Sequence, residues 1–194
     1  KVNGYPRFGW TDINRFQQLN DKPYENSVLL WGVYGIKGGA KRITGYIDSN
    51  AIKKNRQWIN KYKLFISKAY SADAIVPPEV IVSPPRTVCS ETFLVIGPFN
   101  NQEELMYCKK YMETDFFRVL LFFGRGTMQV SQEVFRFIPL QDFTFNSDVD
   151  WNKSIIEIDL QLFRKYKLSI KEISFIEKII NKTNITSARR CIKN

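Results

Sequence analysis

An unbroken apolar run, Phe93-Leu94-Val95-Ile96, set between Thr92 and Gly97, constrains this chain more than any other stretch. Aromatic and β-branched residues without polar alternation suit a strand inside a packed core. The segment from Thr87 to Phe143 is arranged around that run. Two helices follow it, and a strand from Val134 to Ile138, with Phe135 and Phe137 on either side of Arg136, closes the block.

Two proline pairs precede the run, Pro77-Pro78 and Pro84-Pro85, and they bracket Val80-Ile81-Val82. Proline has no N–H for a sheet ladder, so this is an edge strand or a crossing segment. Leu64 to Tyr70 forms a further strand. Earlier, Val28 to Tyr34 and Ile43 to Ile47 pattern as strands joined by the loop Gly35-Ile36-Lys37-Gly38-Gly39-Ala40-Lys41-Arg42. Residues 1–27, rich in Gly, Pro, Asn and Asp, read as irregular structure pinned by Tyr5, Phe8, Trp10 and Phe16. Asp48-Ser49 supplies a cap for a helix from Asn50 to Tyr62. On that helix Ile52, Trp58, Ile59 and Tyr62 share one arc, and Lys53, Lys54, Arg56, Gln57 and Lys61 share the other.

Beyond the core run, Asn100 or Asn101 with Glu103 and Glu104 starts a helix bearing Leu105, Cys108 and Met112 at helical spacing. Phe116 to Phe123 is apolar at almost every position, which leaves helix and buried strand both open there. From Ser147 the pattern is helical. Ile155, Ile158, Leu162 and Tyr166 mark one amphipathic helix, and Ser169-Ile170-Lys171-Glu172 is a capping box for a second, with Ile173, Ile176 and Ile180 on its inner face. The expected fold class is α+β: a mixed or antiparallel sheet core with flanking helices and a C-terminal helical pair. The expected organisation is a main domain over residues 1–146, the helical pair over 147–181 and a disordered basic tail over 182–194.

The 194 residues include 29 Lys and Arg against 19 Asp and Glu, a net charge of +10, while an apolar content of 44% argues against global disorder. The excess charge is local. Within residues 37–68, Lys37, Lys41, Arg42, Lys53, Lys54, Arg56, Lys61, Lys63 and Lys68 are opposed by Asp48 alone, and residues 182–194 add four basic residues and no acid. A localised cationic segment implies an acidic partner, nucleic acid before an anionic membrane surface. Solvated helix faces mix signs; the strip on the expected 50–62 helix does not, and it suits phosphate contact. The glycine-rich 35–42 loop suits a phosphate clamp or a solvated hairpin tip, its spacing matching neither a P-loop nor a dinucleotide fingerprint.

Residue types remove much chemistry. Histidine is absent, which excludes His-based acid–base work, Ser-His and Cys-His pairs and nearly every zinc site. Cys89, Cys108 and Cys191 lack metal-ligand spacing, and the first two read as small buried hydrophobes. No acidic residue stands two positions before a lysine, the arrangement with which common restriction-fold nucleases hold a metal and a water. Ser83-Pro84-Pro85-Arg86 approaches the Pro-Pro-aromatic motif that holds a flipped adenine, but Arg86 stands where the stacking ring belongs. No glycine-rich loop after a strand suits S-adenosylmethionine. Glu103-Glu104 has a sufficient role at a helix start. No catalytic residue and no metal ligand is therefore expected. The lack of a signal peptide or membrane-length apolar run points to a reducing, cytoplasmic compartment, and a start at Lys1 rather than Met points to a piece of a longer protein.

Three groups of segments, taken in order, carry a family resemblance. The first is Ile43-Thr44-Gly45-Tyr46-Ile47, Ile52-Lys53-Lys54-Asn55 and Lys61-Tyr62-Lys63-Leu64-Phe65-Ile66-Ser67-Lys68-Ala69-Tyr70. The second is Val88-Cys89-Ser90-Glu91-Thr92-Phe93-Leu94-Val95-Ile96-Gly97-Pro98-Phe99 with Phe116-Phe117-Arg118-Val119-Leu120-Leu121 after it. The third is Phe137-Ile138-Pro139-Leu140-Gln141-Asp142-Phe143, then Trp151, then the helix from Tyr166-Lys167-Leu168-Ser169 to Phe175-Ile176-Glu177. From Arg7 to Asn181 the chain resembles the C-terminal target-recognition region of bacterial type II restriction-modification methyltransferases, the single-polypeptide, adenine-specific kind. It departs at Ser71-Ala72-Asp73, where the family commonly has Gly-Ala-Gly. The resemblance implies double-stranded DNA as the ligand and an upstream methyltransferase or nuclease domain of the same polypeptide as a partner. It implies no cofactor for these residues, and S-adenosylmethionine with Mg²⁺ for the full-length enzyme.

The expected function is sequence-specific binding of double-stranded DNA by a non-catalytic target-recognition domain. A small metal-dependent nuclease and the specificity subunit of a multi-chain restriction system are the alternatives. Lys53, Lys54, Arg56 and Lys61 are expected on phosphates, with Lys68 in the same cationic segment; Lys37, Lys41, Arg42 and Arg86 are expected near base edges. Arg125, in a Gly-Arg-Gly turn, is a weaker candidate.

Overall fold

The computed structural model describes the backbone of residues 2–3, 7–8, 19–36, 39–52, 55–70, 74–75, 77, 79–125, 127 and 130–191, with side chains throughout except in 2–3, 7–8, 33–36, 39–42 and 182–191. Its contacts divide the chain into two compact units, residues 1–69 with 79–105 and residues 70–78 with 106–194. The division differs from the boundary expected at residue 146. Tyr111 and Phe143 both pack their rings on Trp151, which ties the middle of the chain to its C-terminal helices.

The first unit contains the strands β1 (Val2–Asn3), β2 (Arg7–Phe8), β3 (Ser27–Ile36), β4 (Gly39–Asp48), β5 (Tyr62–Ser67), β6 (Ile81–Ser83), β7 (Thr87–Ser90) and β8 (Phe93–Phe99). One antiparallel sheet has the order β1-β8-β5-β6; the other, mixed sheet has the order β2-β7-β3-β4, with β7 parallel to both neighbours. The apolar run Phe93–Ile96 lies in β8, interior to its sheet and buried from Phe93 to Gly97. The proline-bracketed strand β6 lies at an edge, where missing N–H donors cost least.

The mixed sheet is covered on both faces. Val28 and Leu30 of β3 join Ile47, Ile52, Ile59 and Val88 in one buried cluster. Cys89 of β7 joins Phe65, Ile81, Phe93 and Val95 in another, with Trp31 and Trp58 packed against it. The pleat sends neighbouring residues to opposite faces, so Val88 and Cys89 serve different clusters.

Two expectations for this unit change. The β3–β4 hairpin is longer than the sequence pattern indicates, pairing from Ser27 with Asp48 to Ile36 with Gly39, so Lys41 and Arg42 belong to β4 and not to a loop. No α-helix spans 50–62 among the described residues: 3₁₀ turns occupy Ser49–Ala51 and Arg56–Trp58. Asn55 is left-handed, with φ 50°, and interrupts helical propagation. Ile52 and Ile59 nevertheless reach the same cluster, which satisfies the burial that their spacing demands.

The second unit is helical. Helix α1 (Gln102–Glu113) begins in the first unit and continues into the second; α2 (Asp115–Gly124), α3 (Ile155–Lys165) and α4 (Ile170–Cys191) follow. The ambiguous Phe116–Phe123 run is therefore helix. The strand expected at Val134–Ile138 is instead a 3₁₀ helix, Gln132–Phe137; no named strand lies among the described residues of this unit to supply a ladder. Ser154 with Glu157 and Ser169 with Glu172 form reciprocal capping bonds at the starts of α3 and α4. Helical backbone continues to Cys191, through most of the tail expected to be disordered. The α+β class stands. Cys89 and Cys108 are buried thiols, and burial pushes the Cys108 thiol up to about 12.

Candidate functional site

Ile52 and Ile59 anchor the cationic segment on one face of the mixed sheet. Between them, the Arg56 guanidinium binds back to the chain: Nη1 donates to the carbonyls of Ile52 at 3.3 Å and Asn50 at 3.5 Å, and Nη2 donates to Asn50 Oδ1 at 3.1 Å. Arg56 thus ties its own turn back to Asn50 and Ile52; Lys53 and Lys54 lie outside the described residues. Exposed Asp48, the one acid of the segment, accepts Asn50 N–H at 2.7 Å as the cap of the first turn.

Arg86 joins this loop from the turn between β6 and β7. Its φ of 62° is left-handed, a conformation that a non-glycine residue holds only where its surroundings impose it. Three bonds do so: its N–H donates to Ile59 O at 2.7 Å, its carbonyl accepts Leu29 N–H at 2.9 Å, and its Nη2 donates to Ser27 O at 2.5 Å. Ile59 N–H in turn donates to Arg56 O at 3.0 Å, which brings Arg86 beside the turn bearing Arg56 and exposed Lys61.

Lys63, counted with the cationic segment by its position, is removed from it by the fold. It pairs with Ser83 where the β5–β8 register shifts, and its side chain is 0% exposed. Its ammonium donates to the carbonyls of Trp58 at 2.8 Å, Ile59 at 3.3 Å and Lys61 at 2.5 Å, tying down the turn under Arg86. Burial pushes the Lys63 ammonium down to about 8, against a smaller upward pull from Cys89. Nothing in the sequence separates this lysine from its exposed neighbours.

The remaining candidates lie elsewhere. Lys41 and Arg42 pair with Tyr34 and Val33, and Lys41 is seven residues along β4 from Asp48, roughly 23 Å at 3.3 Å per residue. Lys37, between β3 and β4, is outside the described residues. Lys68 follows the opposite end of β5 from Lys61, with its N–H donated to Thr92 O at 2.9 Å. The fold therefore gathers Arg56, Lys61 and Arg86 at the base of the hairpin and separates Lys41, Arg42 and Lys68 from them. Arg125 is a correction of another kind: it is buried, stacked 4.0 Å from the Tyr70 ring centroid, with Nη2 donating to Ala74 O at 2.8 Å.

Among the described residues no group of three or more Cys, Asp or Glu side chains is gathered as a metal site, and no helix is long and apolar enough to cross a membrane. Comparison with protein-family models, curated proteins and solved structures finds no match to this chain. The chemistry available at the hairpin base is that of fixed cations: two guanidiniums and an ammonium, with arginine suited to paired acceptors and lysine to a single charge.

Proposed function

We propose that this chain binds double-stranded DNA as the target-recognition part of a bacterial restriction-modification adenine methyltransferase, acting in the cytoplasm. The observation that supports the reading is the meeting of Arg56, Lys61 and Arg86 at the base of the hairpin. The only acid of the 37–68 segment, Asp48, accepts a capping bond beside them. Lysines on phosphates fix register, and an arginine at a rigid turn reads a base edge. In this reading the chemistry, with its S-adenosylmethionine and Mg²⁺, belongs to another domain of the same polypeptide.

Binding to duplex DNA at increasing salt tests it. The logarithm of affinity should fall linearly with the logarithm of salt, at about 0.9 per phosphate neutralised. A flat dependence, or no retention on any duplex at low salt, would sink the proposal.

A further inference from the structure

Arg86 is built differently from the other cations around it. Arg56 directs its guanidinium into its own loop through three bonds, and Lys61 is a single charge on a flexible stem. Arg86 stands between a rigid Pro84-Pro85 pair and β7, held on its N–H by Ile59, on its carbonyl by Leu29 and at its tip by Ser27. A guanidinium has five N–H donors and no acceptor. One bond, to Ser27 O, orients the group, and enough donors remain for a two-pronged bond to an external pair of acceptors. The residue is exposed, so the pair can be reached.

Holding a left-handed arginine costs stability that asparagine or glycine would not incur. The bond to Ser27 O gives the side chain one structural use, and that use engages one of its five donors.

Resting on the DNA-binding reading above, we infer that Arg86 is the residue through which this chain selects guanine at one position of its duplex site, in the major groove. Guanine is the base whose major-groove edge offers two adjacent acceptors, N7 and O6. Adenine pairs an acceptor with a donor, cytosine presents a donor and thymine a single acceptor. A donor-only fork therefore prefers guanine and leaves an unsatisfied contact against the other three. Lys61, two residues beyond the Ile59 carbonyl that holds Arg86, supplies the adjoining phosphate contact.

The test is selection of bound duplexes from a randomised pool at low salt, using the wild-type chain, Arg86→Asn and Arg86→Lys. Asparagine tolerates the left-handed backbone and lacks the fork; lysine keeps the charge and lacks the fork. The expected result is a selected motif containing a guanine whose preference, about five- to 150-fold over other bases, is lost in Arg86→Asn and reduced in Arg86→Lys, whose ammonium still donates to guanine as a point charge. Preference at the remaining positions should persist. A guanine preference unchanged in Arg86→Asn overturns the inference and leaves DNA binding standing, as does wild-type binding without any base preference. Failure of the wild-type chain to retain any duplex overturns both readings. Thermal unfolding of each variant confirms that a lost preference is not a lost fold.

Discussion

Asp159 Oδ1 accepts the backbone N–H of Phe116 at 2.9 Å, so a carboxylate on α3 caps the first turn of α2. Its other oxygen accepts the Asp115 N–H, also at 2.9 Å. Together with Thr114 Oγ1, which accepts Phe117 N–H at 3.2 Å, this satisfies donors at a buried helix start. Asp159→Ala should cost about 1–3 kcal/mol in chemical unfolding, because two N–H groups lose their partner in a site with little water.

The same carboxylate predicts a pH dependence. Burial pushes Asp159 up to about 6; the bonds from Phe116 and Asp115 oppose the rise, the Asp115 charge adds to it, and Arg118 opposes it. The folded protein holds this proton more tightly than the unfolded chain. Its contribution to stability is therefore complete below about pH 4 and is lost as pH rises through 6. Subtracting the unfolding free energy of Asp159→Asn from that of wild type should reveal that fall between pH 4 and 6.5. A difference independent of pH would contradict the assignment.

Lys63 has the opposite slope. Its folded value near 8 lies below the value near 10.5 of an unburied lysine, so the folded protein releases the proton first and stability rises with pH between those values. Lys63→Met should abolish that rise in alkaline unfolding experiments. At neutral pH it should also cost about 1–3 kcal/mol, chiefly because the Lys61 carbonyl loses its ammonium partner.

On DNA, Lys61→Ala and Arg56→Ala should separate. Lys61 carries one exposed charge, so its removal should weaken all sequences alike and reduce the salt slope by about 1. Arg56 also joins Asn50 to Ile52, so Arg56→Ala should reduce both the slope and the protection of the Asn50–Arg56 amides from hydrogen exchange. Equal effects of the two on exchange would contradict the role of Arg56 in closing the loop.

Arg125→Met addresses the buried arginine. Loss of the Ala74 bond and of the Tyr70 stack should cost about 1–3 kcal/mol in thermal unfolding and leave the DNA salt slope unchanged. Burial already raises the Tyr70 phenol, with Arg125 opposing it, so the variant should ionise at still higher pH by ultraviolet absorbance. A reduced salt slope would restore Arg125 to the binding face.

The sequence by itself determined what depends on neighbours along the chain. Phe93 to Ile96, a short aromatic and β-branched run closed by Gly97-Pro98, favours a buried strand over a helix. Ser169 with Glu172 is legible as a capping box, and the helix start at Asn100 or Asn101 resolves to Asn101, which caps Glu104 N–H. Tertiary structure decided what depends on distant partners. Ile52 and Ile59 carry helical spacing, yet their burial beside Val28 and Val88 is met by two 3₁₀ turns around a left-handed Asn55. Phe116 to Phe123 became helix where Asp159, more than forty residues away, accepts the N–H groups of Asp115 and Phe116 beside the local cap from Thr114. Lys63 left the cationic face because a register shift in β5 and β8 coincides with three carbonyls that claim its ammonium. Periodicity records which side chains need cover, and only the packed chain decides what covers them and which charges remain in water.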